Sequence, residues 1–260
     1  MKTSEAKTDS VRGEDRVPDT GLTQSVKGYA REEVGFDLVG IAAADDPQFD
    51  IAPEGHKPAE WLPGARSVVV GGIKVLREIL HTTPSPVYSK HYDQLNVWMT
   101  QAAYELSRFL QEKGFRAMYF PETDPYEYFR AQVERGEPRL SPSFCHLHAA
   151  VAAGLGRRGK VGVVLTPEYG PRQRWISVIT TAPLVPDPRL EKEQCIEFIK
   201  PGSCQDKCIE VCQKEQSGAL KPWPDEGGVD MFACNWPSLK AGGLSCGRCI
   251  EACPVGKVKF

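Results

Sequence analysis

The sequence predicts an α+β core followed by a cysteine-ligated module, and three observations carry that prediction. Apolar runs of strand character alternate with helical segments over residues 22–184. Within them, DQLNVWMTQAAYELSRFLQEK (93–113) sets Leu95, Trp98, Met99, Ala102, Ala103, Leu106, Phe109 and Leu110 at three-four spacing, an amphipathic helix closed by Gly114. Eight of the nine cysteines then fall in the last 66 residues.

Taken in order, residues 22–34 have helical spacing and stop at Gly35. FDLVGIAAA (36–44) reads as a buried strand, and WLPGARSVVVGGIKV (61–75) turns on Pro63-Gly64 into a second, β-branched one. FRAMYF (115–120) is a third strand after the amphipathic helix. Residues 121–143, rich in proline and charge, read as a long loop or lid with one short helix. FCHLHAAVAA (144–153) is a helix entering a GLGRRG turn. KVGVVL and WISVITTAPL are further strands, joined by TPEYGPRQR into a hairpin-like pair over 161–184. From Asp187 the composition shifts to cysteine, glycine and charge. The expected organisation is an arm at 1–20, a core at 21–187 and a cysteine module at 188–260.

A formal net charge of −2 leaves no electrostatic footprint for nucleic acid or an anionic membrane. No apolar run is long enough for a membrane span. The polar N-terminus lacks an apolar signal core and a twin-arginine pair, which predicts a flexible arm on a cytoplasmic protein. Thiols in that compartment stay reduced, so ligation is favoured over disulfides.

The spacing Cys246-x2-Cys249-x3-Cys253-Pro254 matches the second half of a bacterial two-cluster ferredoxin run, in which the cysteine before proline crosses to the other cluster. Cys204-x3-Cys208-x3-Cys212 is a looser version, with one residue too many in its first gap and Gln213 in place of proline. Two [4Fe–4S] cubanes need eight thiolates, and the module has eight. One set is Cys195, Cys204, Cys208 and Cys253; the other is Cys212, Cys234, Cys246 and Cys249. Cys195 lies nine residues before its neighbour; without it the first cluster would be three-iron or take a non-cysteine ligand. Two zinc sites would use the same eight thiolates, although zinc ribbons favour paired two-residue gaps. Buried unligated cysteines are the remaining alternative, and Cys145 is left over.

The segments VGFDLVGIAAA, LPGARSVVVGGI and AAGLGRRGKVGVVLTPEYGPRQRWISVITTAPLVPD, with the paired cysteine groups, make the chain resemble the superfamily of epoxyqueuosine reductases and reductive dehalogenases from about residue 34 to 256. GLGRRGKVGVVLTPEYGPR and the gap of eleven between Cys234 and Cys246 are nearer the dehalogenase branch. The resemblance implies a nitroreductase-like, cobalamin-binding core and a ferredoxin-like module with two [4Fe–4S] clusters. Electrons would pass singly to a base-off corrinoid that reduces a small organic substrate. A ferredoxin or flavodoxin would donate them. The sequence ends seven residues after Cys253, without the helical repeats of epoxyqueuosine reductases or the export signal of respiratory dehalogenases, so a compact relative is expected. The alternatives are a corrinoid-reducing or corrinoid-carrying protein with no substrate of its own, and an FMN-dependent iron–sulfur reductase.

Gly154, Gly156 and Gly159 would let backbone approach a cofactor, or would simply form a helix-to-strand turn. Arg157, Arg158, Arg172 and Arg174 suit a phosphate, a propionamide or a substrate anion, or else form a solvated face. The superfamily's proton donor is a tyrosine or an aspartate. Asp124, Tyr126 and Tyr128 in PETDPYEYF are contenders, as are Tyr88, Tyr92 and Asp93 in YSKHYD; the plain alternative is a hydrogen-bonded core tyrosine. His146 and His148 flank Cys145 and point to different helix faces, and nucleophile chemistry there is a minor reading.

Overall fold

Strand β2 (Ser67–Lys74) is buried over six consecutive residues, Ser67 to Gly72. Such a run needs cover on both faces, because alternate side chains point to opposite sides of a sheet. The computed structural model, which describes residues 17–122, 124, 126–136, 142–214, 218–222, 229–230, 233–234 and 244–256, supplies that cover.

β2 pairs antiparallel with β1 (Leu38–Ala43) on one side and β6 (Gln173–Thr180) on the other, and β6 pairs with β3 (Ala117–Tyr119). The order is β1-β2-β6-β3. Val69, Ile41, Ile176 and Val178 face α4 (Pro86–Glu112), burying Met99, Ala103, Leu106 and Leu110. Val68, Val70 and Ile179 face the opposite way, onto Ala149, Ala150 and Ala153 of the α6 region (helix His146–Ala152). Small residues on α6 bring its backbone close to the sheet, whereas the larger residues of α4 fill a thicker layer.

α1 (Thr20–Gly28) is capped by Asp19, which accepts from the Leu22 amide at 2.9 Å. The expected helix over 22–34 begins two residues earlier and finishes as a π-helical turn, Tyr29–Glu33. α2 (Pro58–Trp61) and α3 (Arg77–Leu80) are single turns, and α5 (Tyr126–Glu134) is the short helix expected in the 121–143 loop. α4 starts at Pro86, well before the expected residue 93, because Ser85 accepts from the Tyr88 amide at 3.0 Å and proline occupies the first turn. Polar residues Ser89, Lys90 and His91 hide those opening turns from a periodicity reading.

The hairpin-like pair over 161–184 does not form. Only Val164–Leu165 is strand (β5), and it pairs with β4 (Arg157–Arg158) in a separate two-stranded ladder. β6 instead takes the centre of the main sheet, where its buried run is covered on both faces. Residues 1–16 of the expected arm lie outside the described residues; from Asp19 the chain is fixed, its amide donating to Pro183 O at 2.7 Å. Among the described residues no helix is long and apolar enough to cross a membrane.

Candidate redox site

Among the described residues past Asp187, the short helices α7 (Ile196–Ile199), α8 (Lys207–Lys214) and α9 (Arg248–Ala252) carry or flank five of the cysteines. Cys195 sits at the N-cap of α7, Cys208 and Cys212 lie on α8, and Cys249 lies on α9 with Cys253 at its C-cap. Between Cys204 and Cys208, Gln205 and Asp206 adopt left-handed backbone with φ of 53° and 52°. That pair absorbs the extra residue of the gap, and the Asp206 carbonyl then accepts from the Ile209 and Glu210 amides to start α8.

Cys195, Cys204, Cys208 and Cys253 line one cavity together with Glu197 and Cys249. Burial pushes the Cys208 thiol up to about 12, with Cys253, Cys204 and Cys195 adding repulsion. The remaining four form a second electrostatic neighbourhood. Burial raises Cys234 to about 11, reinforced by Cys246 and Cys212. Burial also raises Cys249, with Cys234, Cys246 and Cys212 the main charges acting on it and Cys208 the next. The two quartets therefore meet at Cys208 and Cys249. None of the eight is in a disulfide, nor is Cys145. Glu197 accepts from the Gly202 amide at 2.5 Å, the Cys204 amide at 3.1 Å and the Cys204 thiol at 3.2 Å, bonds that hold its carboxyl at about 2.

Among the described residues several contacts tie this segment to the core, Lys160 Nζ to Asp206 at 2.8 Å and His81 Nδ1 to Glu251 at 2.9 Å among them. Arg172, which is 8% exposed, donates to the carbonyls of Val255 (2.6 Å), Glu251 (3.3 Å) and Cys253. Gly170 and Gly256 touch so closely that a Cβ on Gly256 would lie 1.8 Å from the Gly170 nitrogen. The amides of Ser245 and Gly247, either side of Cys246, donate to Ser89 Oγ (2.8 Å) and Thr83 Oγ1 (2.7 Å). Nothing in the sequence pattern marks Thr83, Ser89 or Glu197 for these tasks, since a hydroxyl or carboxylate that grips a distant amide leaves no local signature.

Beside the second quartet a cavity of about 210 Å³ is lined by Tyr88, Tyr92, Arg174, Trp175, Cys246 and Cys249 among others. The Arg174 guanidinium lies 3.9 Å from the Tyr92 ring centroid, and its Nη1 donates to Asn96 Oδ1. Of the acid candidates, Tyr92 and Tyr88 are the ones that line this cavity, Tyr88 with its ring buried. The Asp124 carboxylate is instead occupied by Ser143, accepting from its hydroxyl at 2.5 Å and its amide at 2.7 Å. Tyr128 is 40% exposed on α5. Tyr126 starts α5, and its side chain lies outside the described residues. Asp93 is exposed, within 4.0 Å of Lys90.

Several proposed cofactor contacts have other occupants. A Cβ at Gly154 would lie 2.1 Å from Pro188 O, at Gly156 2.5 Å from Leu165 O, and at Gly159 2.8 Å from Leu165 Cδ1. These glycines admit the chain itself. Arg172 grips the backbone, Arg157 pairs with Glu193 at 3.4 Å, and Arg158 donates to Gly162 O and lies 3.9 Å from Cys145 Sγ. His146 contacts Ser177 Oγ and Pro121 O, both at 2.9 Å. A second cavity, of about 580 Å³, is bordered by Arg157, Arg158, Arg189 and His148.

Thiols gathered so that they repel one another are a donor set suited to a cationic iron core, which deprotonates its ligands outright. Among the described residues no three His, Cys, Asp or Glu side chains converge as a single ion needs; a cubane spreads its ligands around a larger body. A corrinoid fits less well. It exceeds the drug-sized ligands that fill cavities of about 300–1,000 Å³, and neither the 210 Å³ nor the 580 Å³ cavity encloses it.

A sheet covered by helices on both faces is thus joined to a segment of eight cysteines beside a tyrosine-arginine cavity, an arrangement that suits redox chemistry. No protein-family model matches the chain. It is 27% identical over 300 residues to the tetrachloroethene reductive dehalogenase of Sulfurospirillum multivorans, covering 93% of this chain and 52% of that one. It is also 27% identical over 221 residues to a tetrachloroethene reductive dehalogenase of Desulfitobacterium hafniense, covering 80% of this chain and 36% of that one. The chain thus spans about a third to a half of these curated relatives. In fold it is similar to the catabolic reductive dehalogenase NpRdhA bound to 3-bromo-4-hydroxybenzoic acid (TM-score 0.67, 20% identity, 90% of this chain and 32% of that one). It is similar as well to epoxyqueuosine reductase bound to a tRNA stem loop (TM-score 0.63, 19% identity, 92% and 66%). These matches support the superfamily read from the sequence: the chain is similar in sequence to reductive dehalogenases, and in fold to reductive dehalogenases and epoxyqueuosine reductases, oxidoreductases both.

Proposed function

We propose that the chain is an iron–sulfur reductase of this superfamily, acting on a small organic substrate. One [4Fe–4S] cluster is held by Cys195, Cys204, Cys208 and Cys253, and another by Cys212, Cys234, Cys246 and Cys249. When bound, such clusters carry electrons one at a time. The observation that carries this reading is the division of eight thiols into two neighbourhoods that meet at Cys208 and Cys249, with Cys246 and Cys249 of the second lining the cavity that holds Tyr92 and Arg174.

Tyr92 is the acid. The cation on its ring face and the Asn96 contact beyond fix the ring's orientation. Trp175 and Val164 give the cavity an apolar wall beside the ring. A cytoplasmic ferredoxin or flavodoxin is the donor. Cobalamin as a cofactor rests on the sequence resemblance and on a fold relative whose structure suggests a mechanism for B12-dependent dehalogenation (TM-score 0.66, 18% identity); neither described cavity encloses a corrinoid, and no step is assigned to it. No relative compared speaks for FMN.

Anaerobic reconstitution with iron and sulfide tests the reading. It predicts about eight irons per chain, since each of two cubanes holds four, and a spectral change on titration with cobalamin. Zinc in place of iron, or fewer than about six irons, overturns the cluster assignment. Loss of haloaromatic or epoxide reduction in Tyr92→Phe, with iron intact, supports the acid role; undiminished turnover removes it.

A further inference from the structure

Tyr88 stands in the first turn of α4, with its amide held by Ser85 Oγ at 3.0 Å. Its ring is 4% exposed, packed with Val75, Leu80 and Ile250. The phenol end reaches the segment between Cys246 and Cys249, where a Cβ at Gly247 would lie 2.6 Å from the phenol oxygen. Glycine at 247 is what admits that oxygen. The same loop is pinned from below by Thr83 and Ser89, so phenol and thiols keep a fixed relation. Among the described residues no hydrogen bond takes up the phenol O–H, although Tyr88 borders the cavity that Cys246 and Cys249 also line.

A neutral O–H fixed beside acceptor-only thiolates has one electrostatic consequence. Hydrogen bonds to the sulfurs of a cluster stabilise whichever state carries more negative charge, which is the reduced one. We propose that Tyr88 is a positioning residue whose phenol donates into the sulfur environment of Cys246 and Cys249, raising the reduction potential of the cluster nearer the substrate cavity. This rests on the cluster assignment above and adds to it a cause for the direction of electron flow. A proximal cluster made easier to reduce draws electrons from the quartet that includes Cys208.

The test is an EPR-monitored redox titration of anaerobically reconstituted wild type, Tyr88→Phe and Tyr92→Phe, with dithionite supplying the electron. Tyr88→Phe is expected to keep its iron. Its equilibrium constant for reduction of one cluster should fall about tenfold, equal to about 59 mV for a one-electron couple, while the other cluster is unmoved. Tyr92→Phe should shift neither. Incorporating 3-fluorotyrosine at position 88, a stronger donor of almost the same shape, should move the same midpoint upward, and decides the matter if Tyr88→Phe loses iron. Unchanged midpoints in both variants overturn the role of Tyr88 while leaving the clusters standing. A wild type that binds no iron overturns both.

Discussion

The Arg172 guanidinium donates to the Cys253 carbonyl, so the residue that leads into β6 also holds the thiol before Pro254. The Arg172 carbonyl in turn accepts from the Val75 amide at 2.9 Å, just beyond the β2 end of the ladder. Sheet register and thiol placement are thereby one mechanical problem. Arg172→Lys replaces a planar fork by a point charge that cannot reach three carbonyls together. We expect a loss of about 1–3 kcal/mol in urea unfolding and faster iron loss to a chelator. A cofactor-binding Arg172 would instead lower ligand affinity with the clusters undisturbed.

Gly170→Ala and Gly256→Ala probe the same seam. Both residues have positive φ, 59° and 67°, and neither has room for a Cβ. The backbone conformation alone costs about 1–2 kcal/mol, and the collision forces the strands of chain apart. Proteolysis after residue 187 should accelerate in either variant, whereas Gly136→Ala, with nothing near its Cβ, should leave that seam intact.

His148 and His146 make stability depend on pH. Burial, before any other cause, lowers both to about 4. The unfolded imidazole takes its proton near pH 6.5, so the folded state is disfavoured as pH falls from about 6.5 towards about 4 and the effect levels off below. At pH 5 each histidine should cost about 2 kcal/mol. Urea unfolding at pH 7.5 and 5 should show that fall in wild type and roughly half of it in His148→Gln.

Asp124 separates structural from chemical roles. Its two oxygens are taken by the Ser143 hydroxyl and amide across the 121–143 loop. Asp124→Asn should lower stability by about 1–3 kcal/mol and speed hydrogen exchange at Ser143, without moving the pH profile of turnover. A shifted profile would restore it as an acid.

Much of the core was legible from local pattern. The stretch SVVVGGIK announces a strand covered on two faces, and the spacing from Leu95 to Leu110 announces its helical cover. The opening turns of α4 escaped because their signal is a cap, Ser85 and Pro86, ahead of polar residues. The hairpin at 161–184 failed for a different reason: β6 has buried partners on both edges, and KVGVVL cannot occupy a place that β2 and β3 already fill. At the site, spacing grouped the cysteines by four, but it was silent on Glu197, Thr83 and Ser89, whose partners are remote in sequence.

What the sequence by itself determined is the list of elements and the supply of thiols, because helix period, β-branching and short cysteine gaps are local properties. The tertiary structure decided how those parts are used. It gave Arg172 and three glycines to the chain's own backbone, Asp124 to a loop, and Tyr92 and Tyr88 to a cavity beside Cys246 and Cys249. Those outcomes depend on which surfaces meet across the fold, and proximity between distant residues is fixed only when the whole core packs.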